Sequence, residues 1–196
     1  MVVFYLSTNI DNFVILQRFR NIKSLKRVTL QIIRTKKMEY LIREATQEDM
    51  AQVLDLIREL ALFEKEPEAV EVTVEDLILD GFGDYKLFHC FVAEVNNGIV
   101  GTALVYNRYS TWKGPVLHLE DLIVTKKMRG TGLGTSLLDE VVKYGHKQGV
   151  KRICWEVLDW NEPAIKFYQS KGADVKRDWD VVHLNEKGIE NYIANL

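Results

Sequence analysis

From Tyr40 onward, apolar residues follow two alternating patterns, one typical of strands and one typical of helices. Tyr40–Arg43 predicts a short strand, and Thr46 is placed to cap the helix that follows it. Intervals of three and four then predict a helix with one buried face, formed by Met50, Val53, Leu54, Ile57, Leu60 and Ala61. A second helical segment covers Val74–Leu79 and ends at Gly81-Phe82-Gly83.

The middle of the chain predicts strands joined by a hairpin. Two β-rich runs, Phe88–Val95 and Ile99–Tyr106, flank the sequence Asn96-Asn97-Gly98. Asn-Gly accepts the positive φ angles that a tight hairpin turn requires. A loop containing Trp112 then leads to a third strand, Val116–Thr125.

The second half of the chain continues the alternation. A glycine-rich loop, Arg129–Gly134, leads into a helix over Thr135–Gln148, and a strand over Arg152–Leu158 follows. Asn161 opens a short helix, and Trp179–Leu184 predicts a last strand. Since the pattern contains neither repeats nor an internal linker, it predicts one α/β domain.

Composition agrees with a single globular domain. The chain has 196 residues, of which 47% are hydrophobic and 28% are charged. These proportions exclude a largely disordered chain and a multi-pass membrane protein. The two cysteines, Cys90 and Cys154, lie among apolar neighbours and do not have the spacing of metal ligands. We therefore expect no metal site and a reducing compartment, the cytoplasm.

Charge divides the chain at residue 38. Residues 1–37 carry eight basic side chains and one acid, a net charge of +7, which leaves −9 for residues 38–196. An acidic body repels nucleic acid and anionic membranes and attracts a cationic partner. We expect neither nucleic acid nor a membrane as a partner.

Residues 1–37 match no targeting segment well. Polar residues interrupt the apolar stretch before Phe19, so it cannot span a bilayer, and it lacks the features of a secretory signal. The excess of basic residues resembles a transit peptide, but serine is scarce. We expect residues 1–37 to be a basic extension, disordered or derived from an upstream start codon, and residues 38–196 to be the working domain.

The glycine-rich loop is the sharpest local motif. Glycines before a helix let the backbone approach a ligand, and free N–H groups at the helix start bind anions. The spacing Gly130-x-Gly132-x-Gly134 differs from the dinucleotide fingerprint, and no lysine follows as in a P-loop. The pattern alone therefore predicts a phosphate or pyrophosphate site, with a plain strand-to-helix turn as the alternative.

Further motifs accompany this loop in a fixed order. They are Ile42-Arg43-x-Ala45-Thr46, Glu59-Leu60-Ala61, Asp80-Gly81-Phe82-Gly83, Phe91-Val92-Ala93-Glu94-Val95, Leu119-Glu120-Asp121-Leu122, Trp160-Asn161-Glu162-Pro163 and Phe167-Tyr168. With the loop, they resemble the GNAT acetyltransferase superfamily, and within it the spermidine/spermine and thialysine acetyltransferase group. The resemblance covers about residues 39–185. It implies a single domain with a mostly antiparallel mixed sheet flanked by helices, and an acetyl-CoA loop between a central strand and the next helix.

The resemblance also implies which residues hold acetyl-CoA, and it implies no metal. Backbone N–H groups of Leu122 and Val124, with Ile123 between them, would hold the pantetheine arm and polarise the acetyl carbonyl. The pyrophosphate would lie on Arg129, Gly130, Thr131, Gly132, Leu133, Gly134 and Thr135. Further contacts would come from Asn161, Pro163, Ala164 and Lys171.

Two residues match the family's acid–base positions. Tyr168 would protonate the departing thiolate; spacing alone favours a core aromatic, and only the resemblance favours the acid. Glu120 would accept the proton of the amine, directly or through a water, and an exposed strand acid is the alternative. An acid in an apolar strand needs solvent, a partner or a site. Strand alternation places Glu120 and Asp121 on opposite faces, so we expect at most one of them to line a given cleft.

The amine site is implied by both resemblance and charge. Phe63 and Glu64 match family positions that contact the polyamine, while Glu156 and Asp159 add negative charge that suits a substrate with several ammonium groups. Glu156 and Asp159 are equally compatible with solvated surface charges. The histidines belong to no motif, and Cys154 has no basic partner in the sequence that would activate it.

The resemblance implies acetyl transfer from acetyl-CoA to a primary amine of a small cationic substrate, a polyamine or diamine, by a homodimer. Val157-Leu158-Asp159-Trp160-Asn161 is closer to the thialysine members, so thialysine, another amino-acid side chain or a protein amine is the alternative substrate. An acyl-CoA-binding regulatory module without turnover is the alternative from a different class.

Overall fold

The computed structural model describes residues 39–196, together with the strands Val3–Ser7 (β1), Phe13–Gln17 (β2) and Gln31–Ile33 (β3). These three strands form an antiparallel sheet in the order β1-β2-β3. The expectation of a basic extension over residues 1–37 lies mostly outside the described residues. It stays a prediction, as does the domain boundary at residue 38.

A second sheet of five strands forms the centre of residues 39–196. Its strands are Leu41–Glu44 (β4), His89–Val95 (β5), Gly98–Ser110 (β6), Gly114–Val124 (β7) and Ile153–Cys154 (β8). The order is β4-β5-β6-β7-β8, with antiparallel pairing throughout except for the parallel pair β7-β8. This confirms the predicted mixed, mostly antiparallel sheet.

Helices cover both faces of this sheet. They are Met50–Glu64 (α1), Val74–Phe82 (α2), Leu133–Lys147 (α3) and Glu162–Ser170 (α4). A last helix, Glu186–Ala194 (α5), has no buried residue and belongs to neither core. Alternation along β5 explains the two cores: Cys90 and Val92 pack with α1 and α2, while Phe91 and Ala93 pack with α3 and α4. None of the described helices is both long enough and apolar enough to cross a membrane.

Two local predictions are confirmed in detail. Asn96 and Asn97 have φ angles of 50° and 62°, as the predicted β5-β6 hairpin requires. Thr46 and Asp49 form a capping box in a short 3₁₀ turn, Gln47–Asp49, directly before α1.

One ionic network fixes the start of α1 to the sheet. The Arg43 guanidinium donates to Asp49 at 2.6 and 2.9 Å and to Glu94 at 2.8 Å. Hydrogen bonds from Arg43 lower the pKa of Asp49, although burial opposes them. The network connects β4, β5 and the 3₁₀ turn, so it sets where α1 begins.

One predicted strand is too long, and another is wrong. Of Arg152–Leu158, only Ile153–Cys154 pairs with β7, because the chain then diverges from β7 and forms the wall of a cavity. Trp179–Leu184 contains no strand, because its apolar side chains are exposed in the single chain and do not pack against the sheet.

Candidate active site

A β-bulge in β7 brings two acids to one place. Leu104 pairs with Asp121 and Val105 pairs with Leu119, so Glu120 is the extra residue. Both Glu120 and Asp121 line the same cavity. The expectation that they lie on opposite faces is therefore wrong, because the bulge interrupts the alternation on which it was based.

The cavity has a volume of about 620 Å³ and lies where β7 and the chain after β8 diverge. The end of α1, the glycine-rich loop and α4 close its other sides. Its lining residues include Leu60, Phe63, Glu64, Glu120, Asp121, Leu122, Ile123, Val124, Arg129, Gly130, Gly132, Gly134, Thr135, Trp155, Glu156, Asn161, Pro163, Ala164, Phe167 and Tyr168.

Three carboxylates interact inside this cavity. Burial, followed by the charges of Glu120 and Glu64, raises the pKa of Asp121 to about 6. Burial also raises the pKa of Glu64. Within residues 39–196, neither Glu64 nor Asp121 has a basic side chain at salt-bridge distance. These two carboxylates therefore carry negative charge that no salt bridge within the described residues neutralises.

Tyr168 lines the cavity from α4. The helix that carries it begins at the Asn161 cap, whose side-chain oxygen accepts from the Ala164 N–H at 3.4 Å. The Tyr168 ring packs against Trp155 and Phe167, with centroid distances of 5.0 and 5.3 Å. Burial raises the pKa of Tyr168, so its hydroxyl keeps its proton at neutral pH.

The glycine-rich loop forms a cradle of backbone N–H groups. Gly130 and Gly132 have φ angles of +76° and +92°, and open space lies where their side chains would be. The first helical hydrogen bond of α3 runs from the Ser136 N–H to the Gly132 carbonyl. The N–H groups between these residues consequently have no acceptor within the helix. Such a cradle fits the pyrophosphate of a nucleotide cofactor.

Backbone donors also line the β7 side. Thr125 donates its N–H to the Val100 carbonyl of β6. Because N–H directions alternate along a strand, those of Leu122 and Val124 point away from β6. On that side β8 no longer pairs with β7, so this part of β7 is an open edge. These two groups are available to an extended ligand arm.

Most of the residues singled out from the sequence converge on this cavity, and four do not line it. The Thr131 hydroxyl donates to the Met128 carbonyl at 2.6 Å, and the Leu133 side chain is buried in the core. Asp159 is exposed outside the lining. Lys171 lies at the rim, with its ammonium 5.8 Å from the centre of the Phe167 ring.

Sequence reasoning missed Asp121 and His118. Asp121 was hidden by the bulge. The His118 Nε2 lies 3.5 Å from Glu120 Oε2, and its Nδ1 lies 3.7 Å from the Cys154 sulfur. Spacing carried the clue for His118, since residues two apart on one strand share a face. Nothing in the sequence indicated the contact with Cys154.

No cluster of metal-ligating side chains occurs in the part of the chain that the structure describes. The arrangement instead combines an anion cradle, free backbone donors, a protonated tyrosine and clustered carboxylates. These groups can bind a nucleotide-linked acyl donor and move protons to and from a cationic acceptor.

Comparison with known proteins gives a consistent result. The model of the acetyltransferase (GNAT) family matches residues 38–173. A thialysine N-epsilon-acetyltransferase from Bos taurus is 39% identical over 141 residues, 68% of this chain and 83% of that protein. The spermidine/spermine N(1)-acetyltransferase-like protein 1 of Homo sapiens is 35% identical over 168 residues, 80% of this chain and 24% of that protein.

Solved structures share the fold at low sequence identity. An integron cassette protein from V. cholerae superposes with a TM-score of 0.66 and 20% identity, over 80% of this chain and 98% of its own. The aminoglycoside N-acetyltransferase AAC(6')-Iy, in complex with CoA, gives a TM-score of 0.61 and 17% identity, over 76% and 97%.

Proposed function

Because the chain belongs to the acetyltransferase (GNAT) family, we propose that this acetyl-CoA-dependent N-acetyltransferase acetylates a primary amine of a small cationic substrate, a polyamine or a diamine. The observation that carries the proposal is the convergence of Glu64, Glu120 and Asp121 in one cavity. Carboxylates gathered at one cavity without a counter-charge repel one another, and burial of Asp121 adds a desolvation cost. The ammonium groups of the substrate supply that counter-charge.

A second acceptor is an amino acid such as thialysine, another amino-acid side chain or a protein amine. The 39% identity to an enzyme named for thialysine supports it. The two substrate classes differ at the end remote from the reacting amine, where a polyamine has further cations and an amino acid has a carboxylate. The carboxylates of the cavity favour the polyamine or diamine.

The chain's own groups are suited to hold the cofactor. Residues 129–135 would bind the pyrophosphate, and the N–H groups of Leu122 and Val124 would bind the arm and polarise the acetyl carbonyl. Asn161, Pro163 and Ala164 line the same side. Acetyl-CoA supplies the thioester and, after transfer, a thiolate that needs a proton.

Proton transfer is assigned to two residues. Glu120 accepts the proton that the amine loses, directly or through a water. Tyr168 gives its hydroxyl proton to the thiolate, which is consistent with a pKa raised by burial. Asp121 and Glu64 hold the cationic part of the substrate, with Glu156 adding charge and Phe63 forming an apolar wall.

The working enzyme in this proposal is a cytoplasmic homodimer. Residues 179–196 expose a run of large apolar side chains: Trp179, Val181, Val182, Leu184, Ile189, Tyr192, Ile193 and Leu196. Exposed apolar surface of this extent favours burial against a second copy.

The net charge of −9 on residues 38–196 disfavours nucleic acid and anionic membranes as partners. Two free cysteines agree with a reducing compartment.

The test is release of CoA thiol by the full-length chain with acetyl-CoA and a panel of amines. The panel holds spermidine, spermine, a short diamine, thialysine, lysine and a lysine-containing peptide. Faster release with the first three supports the proposal, and faster release with the last three supports the alternative. Bound acetyl-CoA without release with any amine would favour a regulatory module without turnover.

A further inference from the structure

Behind the proposed proton acceptor lies a buried histidine. His118 precedes Glu120 by two residues on β7, and its side chain is only 8% exposed, whereas that of Glu120 is 53% exposed. The distance from His118 Nε2 to Glu120 Oε2 is 3.5 Å. A small rotation of the Glu120 carboxylate closes this distance to a hydrogen bond, as catalytic contacts commonly tighten when substrate binds.

The histidine ring is held in place from two sides. Tyr106 on β6 packs against it, with a centroid distance of 4.9 Å. On β8, the Cys154 sulfur lies 3.7 Å from Nδ1. The ring therefore has one defined orientation, with Nδ1 toward the thiol and Nε2 toward the carboxylate.

Two proton arrangements are compatible with these contacts. The Cys154 thiol can donate either to His118 Nδ1 or to the Leu117 carbonyl, which also lies 3.7 Å away. The second arrangement puts the imidazole proton on Nδ1 and turns the Nε2 lone pair toward the Glu120 carboxylate, which is repulsive. The first puts the proton on Nε2, where it faces the carboxylate.

We propose that His118 is a positioning residue for Glu120, and that Cys154 fixes the imidazole in the Nε2–H form that donates to the Glu120 carboxylate. This inference rests on the proposed function, because it assigns His118 to the proton acceptor of acetyl transfer. Held by His118, the Glu120 carboxylate keeps one orientation at the cavity that it lines. The imidazole, the thiol and the carboxylate form a line from β8 through β7 into the cavity.

Burial, against the charge of Glu120, keeps His118 a neutral donor. Burial lowers its pKa, Glu120 raises it, Arg108 on β6 lowers it and Glu156 after β8 raises it, with a net lowering. Tyr106 also faces the ring, and its own pKa is raised, chiefly by burial. A neutral imidazole orients Glu120 without adding a positive charge that would repel a cationic substrate.

Two substitutions separate positioning from packing. His118→Leu fills the space but removes the donor, and we expect kcat to fall roughly 10- to 100-fold with the KM for acetyl-CoA unchanged. His118→Gln restores an N–H near the position of Nε2, and we expect most of kcat to return. His146→Gln, an exposed histidine on α3, is the matched control and should keep the wild-type kcat.

Nitrogen-15 NMR of the histidine rings tests the tautomer without any turnover. We expect the Nε2–H form of His118 in the wild type at pH 7.5, and a mixture of tautomers in Cys154→Ala. The Nδ1–H form in the wild type would overturn the proposal. Equal kcat values for His118→Leu and the wild type, or no rescue by His118→Gln, would also overturn it. A wild type that binds acetyl-CoA but acetylates no amine would refute the proposed function instead. The NMR experiment would still decide whether Cys154 fixes the His118 tautomer, because it needs no turnover.

Discussion

Glu59 and Thr125 are joined by a 2.7 Å hydrogen bond that ties the first helix to the end of β7. The second carboxylate oxygen of Glu59 accepts the N–H of Lys126, also at 2.7 Å. The glycine-rich loop begins three residues later. Glu59 on α1 therefore sets where the proposed pyrophosphate cradle starts, although Glu59 is distant in sequence from Arg129, the first residue of the loop.

Glu59→Ala should loosen this cradle. Hydrogen bonds to charged groups are worth about 1.5–3 kcal/mol, so we expect the KM for acetyl-CoA to rise about tenfold with little change in kcat. Steady-state kinetics at saturating amine measure both constants. Glu68→Ala, which removes an exposed acid before α2, is the control. An unchanged KM in Glu59→Ala would mean that the loop holds its conformation alone.

Tyr168→Phe should lower kcat by about 10² or more, the usual contribution of a positioned acid. The fold should be unaffected, because the ring still packs against Trp155 and Phe167. CoA release and a thermal melt measure the two effects. Tyr144→Phe on α3 should leave kcat at the wild-type value. Full activity in Tyr168→Phe would assign the thiolate's proton to another donor.

Asp121→Asn should weaken amine binding and stabilise the fold at the same time. The Asp121 pKa of about 6 lies above that of a free carboxyl, so ionisation costs stability, and this cost appears as the pH rises through the range from about 4 to 6. Each pKa unit corresponds to about 1.4 kcal/mol. We expect Asp121→Asn to gain roughly 1–3 kcal/mol at pH 7.5 while the amine KM rises.

The same variant should also show a weaker pH dependence of the amine KM than the wild type. In the wild type, protonation of Asp121 below pH 6 removes a charge that binds the cationic substrate. We expect the amine KM of the wild type to rise as the pH falls through 6, and that of Asp121→Asn to rise less over this range, because Glu64 still titrates there. Kinetics between pH 5 and 8 measure the difference, with denaturant melts on the same samples. Parallel KM profiles for the two enzymes would contradict this role.

Asp49→Asn should destabilise the start of α1. Hydrogen bonds from Arg43 lower the pKa of Asp49 in the folded protein. The contribution of ionised Asp49 to the free energy of unfolding is therefore complete above the unfolded pKa of about 3.9, and it is lost as the pH falls through the lower folded pKa. Breaking a largely buried pair costs about 3 kcal/mol.

Urea melts at pH 7 and pH 3 measure this contribution. We expect the difference between Asp49→Asn and the wild type to be large at pH 7 and smaller at pH 3. Asp55→Asn, which removes an exposed carboxylate 3.8 Å from Arg58, should change stability by less than about 1 kcal/mol. An equal effect of the two substitutions would show that burial of Asp49 adds nothing.

Local patterns predicted the elements that depend on local chemistry. The Asn96-Asn97-Gly98 turn follows from residues that tolerate positive φ, and the cap at Thr46 follows from a hydroxyl placed directly before a helical pattern. That Glu120 and Asp121 line one cavity could not be predicted in this way. A bulge shifts the register of the strand pair, and nothing in the local composition marks its position.

The ends of the sheet depend on what is available to pair with them. Arg152–Leu158 has strand composition throughout, yet β7 pairs with only two of its residues. Trp179–Leu184 has the same composition and pairs with none of the described strands. Composition indicates that a segment can form a strand, and tertiary context decides whether it does.

The short pairing between β7 and β8 gives β7 two different environments along its length. At Leu117 and His118 it is an interior strand, and from Leu122 to Val124 it is an edge strand. Open strand edges are templates for aggregation, and proteins commonly cover or interrupt them. Here the walls of the cavity surround the open edge. Enclosed in this way, the free backbone groups of the edge face a ligand inside the cavity and are covered against pairing with an edge strand of another protein.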